Sequence, residues 1–162
     1  MGLEIRPYRE EDIAGMVKVW NEVVENGEAF PQIDLLTIEK GREFFAVQTL
    51  SVVADLDGKI MGLYLLHPNN VGRCAHIGNA SYAVVSSVRS LGLGRALVED
   101  SLKQAAKNGF LGLQFNAVVA SNAAAIHLYE DLGFVRIGTI PRGFVNSLGG
   151  YEDMHIYFKS CV

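Results

Sequence analysis

The sequence has little cysteine, little proline and no long apolar run, and each shortage excludes something. Only Cys74 and Cys161 occur among 162 residues, with no Cys-x-x-Cys pair. Neither a disulfide framework nor a thiolate zinc site fits that count, and a reduced, cytoplasmic setting is the expectation. The start, Met1-Gly2-Leu3-Glu4-Ile5-Arg6, lacks a basic-then-apolar leader, so export is not expected. No apolar stretch nears the roughly 18 residues a membrane span needs. With four prolines, no charge block, no repeat and no low-complexity segment, nothing reads as a linker. The 14 Lys and Arg are outnumbered by 18 Asp and Glu, for a net charge of -4. That balance argues against a dedicated binder of nucleic acid or of an anionic membrane.

What is present is the material of a core. Hydrophobic residues make up 49% and charged residues 20%, and the length suits one domain over residues 1–162. Leu3 to Pro7 reads as a strand. Glu10-Glu11-Asp12 loads a helix start with acid, and Ile13, Met16, Val17, Trp20, Val23 and Val24 follow at helical spacing up to Asn26-Gly27. A second helix is expected from Thr37 to Val47, capped by Thr37. Leu50 to Asp55 and Ile60 to Leu66 read as strands joined at Asp57-Gly58. Ala75 to Val85 reads as a longer strand, Gly94 to Lys107 as a helix, and Leu113 to Val119 as a strand buried on both faces. Asn122 to Leu132 is a helix ended by Gly133, and Phe134 to Ile140 and Tyr151 to Phe158 are closing strands. The layout is α/β, with helices covering a mixed sheet.

The most informative stretch runs from Val84 to Leu97. A strand enters a loop holding Gly92 and Gly94, and a helix follows at once. The glycines allow positive φ and close approach of a ligand. Unpaired N–H groups at the helix start, with the dipole behind them, suit a pyrophosphate. Arg89 and Arg95 bring charge-assisted contacts. A glycine-rich turn beside solvated arginines is the alternative reading. A dinucleotide fingerprint fails on context: the acid it needs about 20 residues on would fall in the apolar strand near Phe115. No GKS/T phosphate loop is present. A coenzyme A diphosphate site is the third reading.

At these residues the chain resembles the GCN5-related N-acetyltransferases (GNAT). Arg89-Ser90-Leu91-Gly92-Leu93-Gly94 is similar to their acetyl-CoA signature Q/R-x-x-G-x-G/A. The segment from Asn122 through Ala125 and Tyr129 to Gly133-Phe134 is similar to their N-x-x-A-x-x-x-Y-x-x-x-G-F. Ser86 stands where many members carry proline, and Ser90 where many carry glycine. The resemblance implies the GNAT acyl-CoA N-acyltransferase fold: a mixed, mostly antiparallel sheet splayed between its fourth and fifth strands, with helices on both faces. It implies acetyl-CoA as co-substrate. The pantetheine would enter the gap along Tyr82, Ala83, Val84 and Val85, in effect adding a strand, with amides near Ala83 and Val84 polarising the thioester carbonyl. The diphosphate would lie on Arg89, Ser90, Leu91, Gly92, Leu93, Gly94 and Arg95.

Acetyl transfer to an amine needs a deprotonated amine, a stabilised oxyanion and a proton for the departing thiolate. The resemblance implies Tyr129 as proton donor to sulfur; a core tyrosine is the competing reading. His76, in the long central strand, is a candidate base by its ordinary pKa, against a hydrogen-bonded core histidine or a water held by asparagines. Asn79 and Asn116 sit mid-strand, where asparagine is a poor strand former and a buried amide needs partners. They read as ligand contacts, or as amides tying strands or a bulge together. Loops at Phe30-Pro31-Gln32 and from Phe144 to Tyr151 are expected to shape the acceptor pocket. Arg142 is a candidate for an acceptor carboxylate, and with Phe144 for a homodimer contact, as is common in the family. His67, His127 and His155 have no ligand spacing, so no metal is assigned.

A narrower likeness runs from Arg73 to Gly133. His76-x-x-Asn79-Ala80-x-Tyr82, then Phe115-Asn116-x-Val118-x-x-x-Asn122, resemble the fungal acetyltransferases that act on azetidine-2-carboxylate and proline analogues. Those relatives carry tryptophan where Tyr129 stands and extra N-terminal sequence. By this likeness Asn79 and Asn116 grip the acceptor's carboxylate or amine, and Asn122 contacts pantetheine. The N-terminal third, with Arg6-Pro7-Tyr8-Arg9-Glu10-Glu11-Asp12 and Glu25-Asn26-Gly27-Glu28-Ala29-Phe30, resembles phosphinothricin-type amino-acid acetyltransferases. Both imply a small amino-acid-like amine as acceptor. The other readings are a catalytically inactive acyl-CoA-binding regulatory module and a protein or peptide N-acetyltransferase.

Overall fold

The computed structural model describes residues 2–162, the side chains of Arg89 and Ser90 excepted. The order is β1 (Leu3–Pro7), α1 (Ile13–Asn26), α2 (Ile38–Ala46), β2 (Leu50–Leu56), β3 (Lys59–Pro68), β4 (Ile77–Val84), α3 (Leu93–Lys107), β5 (Gly112–Val119), α4 (Ala123–Asp131), β6 (Val135–Val145) and β7 (Tyr151–Ser160). The strands form one sheet in the order β1-β2-β3-β4-β5-β7-β6. Every neighbouring pair is antiparallel except β4 and β5, which are parallel.

Two apolar layers hold helices to the two faces. On one, Met16, Trp20 and Val23 of α1 and Phe45 of α2 pack against Val53, Leu63, Leu65 and Ala83. On the other, Leu93, Leu97 and Val98 of α3 pack against Tyr64, Leu66, Leu113 and Phe115. The periodicity of α1 explains its placement, since the residues spaced for one helical face are the ones buried. Each fully buried large side chain, such as Leu63, stabilises the fold by roughly 1.5–3 kcal/mol. Thr37 caps α2 by accepting the Lys40 N–H at 3.1 Å. Where α1 and β1 meet, Arg6 donates to Asp12 at 2.7 Å and to Asp55 at 3.0 Å, so three elements share one guanidinium.

The sheet differs from the sequence expectation in three places. The central strand β4 starts at Ile77 rather than Ala75, because a 3-10 turn occupies Gly72–Cys74 and the Ala75 N–H is spent on the Gly72 carbonyl. His76 therefore lies in a turn and is exposed. β5 is not buried throughout: its register with β7 shifts between Phe115 and Val118, and Asn116 is exposed there. β6 continues to Val145, with a register shift between Ile140 and Phe144 where Arg142 takes φ 55°. Phe144 is thus a buried strand residue, and the expected loop shrinks to a turn over 146–150 in which Asn146 Oδ1 accepts the N–H groups of Leu148 and Gly150.

Candidate active site

β4 and β5 pair at only two positions, Ile77 with Gly112 and Gly78 with Leu113. Beyond them the strands part. The bulge in β5 helps keep them apart, since it turns Asn116 and Ala117 out of the ladder with β7. A cleft of about 820 Å³ fills the opening.

Strand alternation sorts what faces it. Tyr82 and Val84 of β4 and Phe115 of β5 lean toward the α3 layer. The period of two then sends Asn79 and Ser81 of β4, and Gln114 and Asn116 of β5, to the α1 face. The Val85 N–H donates to the Met61 carbonyl of β3 at 3.0 Å, so the Ala83 amide also points to β3. The amides of Tyr82 and Val84 point into the opening. Of the two amides expected to polarise a carbonyl, Val84 is turned to the cleft and Ala83 is not.

One end of the cleft is the start of α3. The first helical bond closes from Ala96 N–H to Gly92 carbonyl, which leaves the N–H groups of Leu93, Gly94 and Arg95 without intrahelical partners. Gly92 has φ 77°, a left-handed conformation that costs a side chain strain, and a Cβ there would meet open space. Both Gly92 and Gly94 line the cleft, while the Leu93 side chain is buried in the core and Leu91 is half exposed. Arg95 also lines it, but its guanidinium is ion-paired with Asp131 of α4. Arg89 and Ser90, assigned above to the diphosphate, have side chains outside the described residues.

The wall is aromatic. Tyr129 of α4 lies 4.6 Å from Phe115 and 6.3 Å from Tyr82, ring centre to ring centre. The Tyr82 hydroxyl is shared with Ser101 Oγ at 2.7 Å, whereas among the described residues the Tyr129 hydroxyl has no hydrogen-bond partner. Burial raises the Tyr129 pKa above its ordinary value, so the group is a protonated donor at neutral pH. Asn122 caps α4, its Oδ1 accepting the Ala125 N–H at 3.3 Å, and lines the same space.

The other end is polar. Asn79 and Asn116 both line the cleft and both donate through Nδ2 to Oδ1 of Asn69, at 3.0 and 2.7 Å. Sequence reasoning missed Asn69. It also passed over His67, which lines the cleft and sits opposite Asn79 in the β3–β4 register. His67 Nδ1 lies 2.9 Å from the Pro68 carbonyl. A carbonyl only accepts, so Nδ1 is the donor in this contact, and in the neutral ring Nε2 is the nitrogen left to accept. Phe30, its ring centre 4.4 Å from that of Trp20 and tilted to it, closes this end with Glu28 and Gln32.

Two residues expected to serve the acceptor lie elsewhere, and Val85, expected along the pantetheine, does not line the cleft and gives its N–H to β3. His76 is exposed in the turn before β4 and does not line the cleft. Arg142 lines a separate shallow hollow with Pro141 and Tyr151. Among the described residues no group of three His, Cys, Asp or Glu is gathered as for a metal ion, and no helix is long and apolar enough to cross a membrane.

A splayed sheet with an open helix start at one end of its cleft defines a class of acyl-transfer fold. The profile of the Acetyltransferase (GNAT) family matches residues 16–134, and the chain belongs to that family of acetyltransferases. N-acetyltransferase aca1 of Schizosaccharomyces pombe is 32% identical over 168 residues, covering 92% of this chain and 80% of the relative. The [Ribosomal protein bS18]-alanine N-acetyltransferase of Escherichia coli is 45% identical over 71 residues, 44% of this chain and 47% of its own length. A GCN5-related N-acetyltransferase from Kribbella flavida superposes with a TM-score of 0.90 at 33% identity, over 98% of this chain and 97% of that one. A phosphinothricin acetyltransferase from Sinorhizobium meliloti, determined in complex with AcCoA, has the same fold: TM-score 0.91 at 19% identity, over 99% of this chain and 89% of its own.

Proposed function

We propose that the protein moves an acetyl group from acetyl-CoA to the amine of a small amino-acid-like acceptor, by direct attack in a ternary complex. The observation that carries this reading is the parting of β4 from β5 after two paired positions. It frees the Tyr82 and Val84 backbone for a pantetheine arm, between an anion-binding helix start and an amide-lined end. The free amides of Leu93, Gly94 and Arg95 receive the diphosphate, with Arg89, Ser90 and Leu91 alongside. Asn122 meets the pantetheine.

The acceptor enters on the α1 side, between Phe30 and the Asn79–Asn116 pair. Its amine attacks the thioester carbonyl while the Val84 N–H receives the developing oxyanion. The C–S bond breaks, and Tyr129 gives its proton to the leaving thiolate. The proton lost by the amine passes through water to His67 Nε2, the imidazole of the cleft. His76 has no part in this scheme, and neither has Arg142. Neither Cys74 nor Cys161 lines the cleft, which supports transfer without an acetyl-enzyme.

The partial match to the ribosomal-protein acetyltransferase favours one second reading, a peptide amine as acceptor. A thiol-release screen with acetyl-CoA over proline analogues, methionine sulfoximine-like compounds, ordinary amino acids, polyamines and short peptides separates the two. Release with small amino acids is the expected result. Faster release with peptides overturns the acceptor class. Tight acetyl-CoA binding with no release on any amine makes the chain a regulatory module instead.

A further inference from the structure

Asn69 follows the end of β3, and its own N–H donates to the Ile77 carbonyl at 2.8 Å, which fixes its backbone where β4 begins. Its side-chain oxygen accepts two amides at once: Asn79 Nδ2 at 3.0 Å from β4 and Asn116 Nδ2 at 2.7 Å from β5. Asn69 is therefore the bridge across the point where the sheet divides. The Asn116 oxygen is in turn occupied, accepting from Gln114 Nε2 at 2.9 Å.

Those bonds leave a defined polarity. With both Nδ2 groups drawn to Asn69 and the Asn116 oxygen taken, Asn79 Oδ1 is the amide oxygen of the Asn79–Asn116 pair that has no partner among the described residues. No buried side-chain polar atom of the described residues lacks a partner, so that oxygen is open to the cleft. A carbonyl oxygen receives N–H and repels a carboxylate.

We propose that Asn69 is a positioning residue for the acceptor: by accepting from both asparagines it locks their amide planes and presents Asn79 Oδ1 to the N–H of the incoming amine. The inference rests on the transfer reaction proposed above. Asn69 itself takes no part in bond making. Its contribution is to remove the two-fold choice of amide orientation, so that the amine meets an acceptor already aimed. An oxygen at position 69 is the essential feature, because an oxygen alone can receive two N–H donors.

Two variants of the full chain test this. Asn69→Asp keeps an oxygen that accepts from both amides; Asn69→Leu keeps the approximate volume and removes it. The first readout needs no substrate: the side-chain amide resonances of Asn79 and Asn116 in nitrogen–proton NMR. They are expected to stay shifted and exchange-protected in Asn69→Asp and to lose both properties in Asn69→Leu. The second uses the fastest amino-acid acceptor of the screen at saturating acetyl-CoA. Asn69→Leu is expected to raise the acceptor KM about tenfold with acetyl-CoA Kd changed less than about twofold, and Asn69→Asp to stay within about threefold of the parent. Asn69→Asp failing like Asn69→Leu overturns the proposal, because Asn69 would then act as a donor. An unchanged acceptor KM in Asn69→Leu overturns it too, as does equal loss of acetyl-CoA affinity, which marks general damage. If the parent protein acetylates no amine, the proposed reaction fails, and the amide resonances alone still decide whether Asn69 orients the pair.

Discussion

Tyr129 stands with its ring centre 4.6 Å from that of Phe115, so α4 is keyed to β5 through the residue that would protonate the thiolate. The hydroxyl is thus held at the cleft wall while its own pKa is raised by burial. Replacing Tyr129 by Phe keeps the ring contacts and removes only the proton. The turnover number is expected to fall about 100-fold, with acetyl-CoA affinity unchanged by calorimetry. A variant with full turnover and chemistry rate-limiting would remove Tyr129 from the mechanism.

Glu22 of α1 reaches the other end of β4. Its Oε1 accepts the Ser86 N–H at 2.8 Å, at the entry to the loop before α3. By resemblance, many relatives have proline at this position, which has no N–H to give; here the serine amide becomes an anchor. Glu22→Ala is expected to raise the KM for acetyl-CoA roughly fivefold and to leave the acceptor KM alone. Initial-rate kinetics in both substrates measure the split.

Gly92 tests the helix start. Its φ of 77° with no atom near a built Cβ separates strain from crowding. Gly92→Ala is expected to lower stability by about 1–2 kcal/mol from the backbone alone. Acetyl-CoA should bind more weakly still, because the new methyl group points into ligand space. Denaturant melts with and without acetyl-CoA distinguish the two losses.

The Arg6 guanidinium bonded to Asp12 holds its carboxyl below the usual range against the opposing pull of burial, with the Arg9 N–H adding to the effect. A carboxylate depressed in the folded state contributes its stability in full above its unfolded pKa of about 3.9, and that contribution drains away as pH falls through the folded value. Stability should therefore hold near neutrality and decline below pH about 4. Asp12→Asn, which leaves Arg6 with a weaker acceptor in a nearly buried setting, is expected to cost about 3 kcal/mol at neutral pH and to flatten that acid limb. Chemical denaturation across pH measures both.

Much of this was legible in the residue pattern. The α1 stripe, the Thr37 cap, the Asp57-Gly58 turn and the glycine-rich entry to α3 each have a local cause that the sequence displays, and each appears where expected. The misplacements come from irregular backbone. His76 was read into a strand because nothing in Gly72-Arg73-Cys74 announces a 3-10 turn, and the end of β6 was missed because Arg142 hides a bulge behind an unremarkable side chain. Asn69 was invisible for another reason. Its partners are 10 and 47 residues away, and an amide bridge between strands leaves no period to read. Asn79 and Asn116 were still detectable as residues that strands disfavour.

The short parallel pairing of β4 with β5 has one more consequence. A sheet that divides in its middle carries two raw edges inside the molecule, where most sheets have them only at the margins. Such edges accept any extended chain that fits, a neighbouring molecule's strand included. The ligand-free protein is accordingly the form most exposed to self-association on storage or heating, and a saturating thioester protects it by covering those edges as well as by mass action.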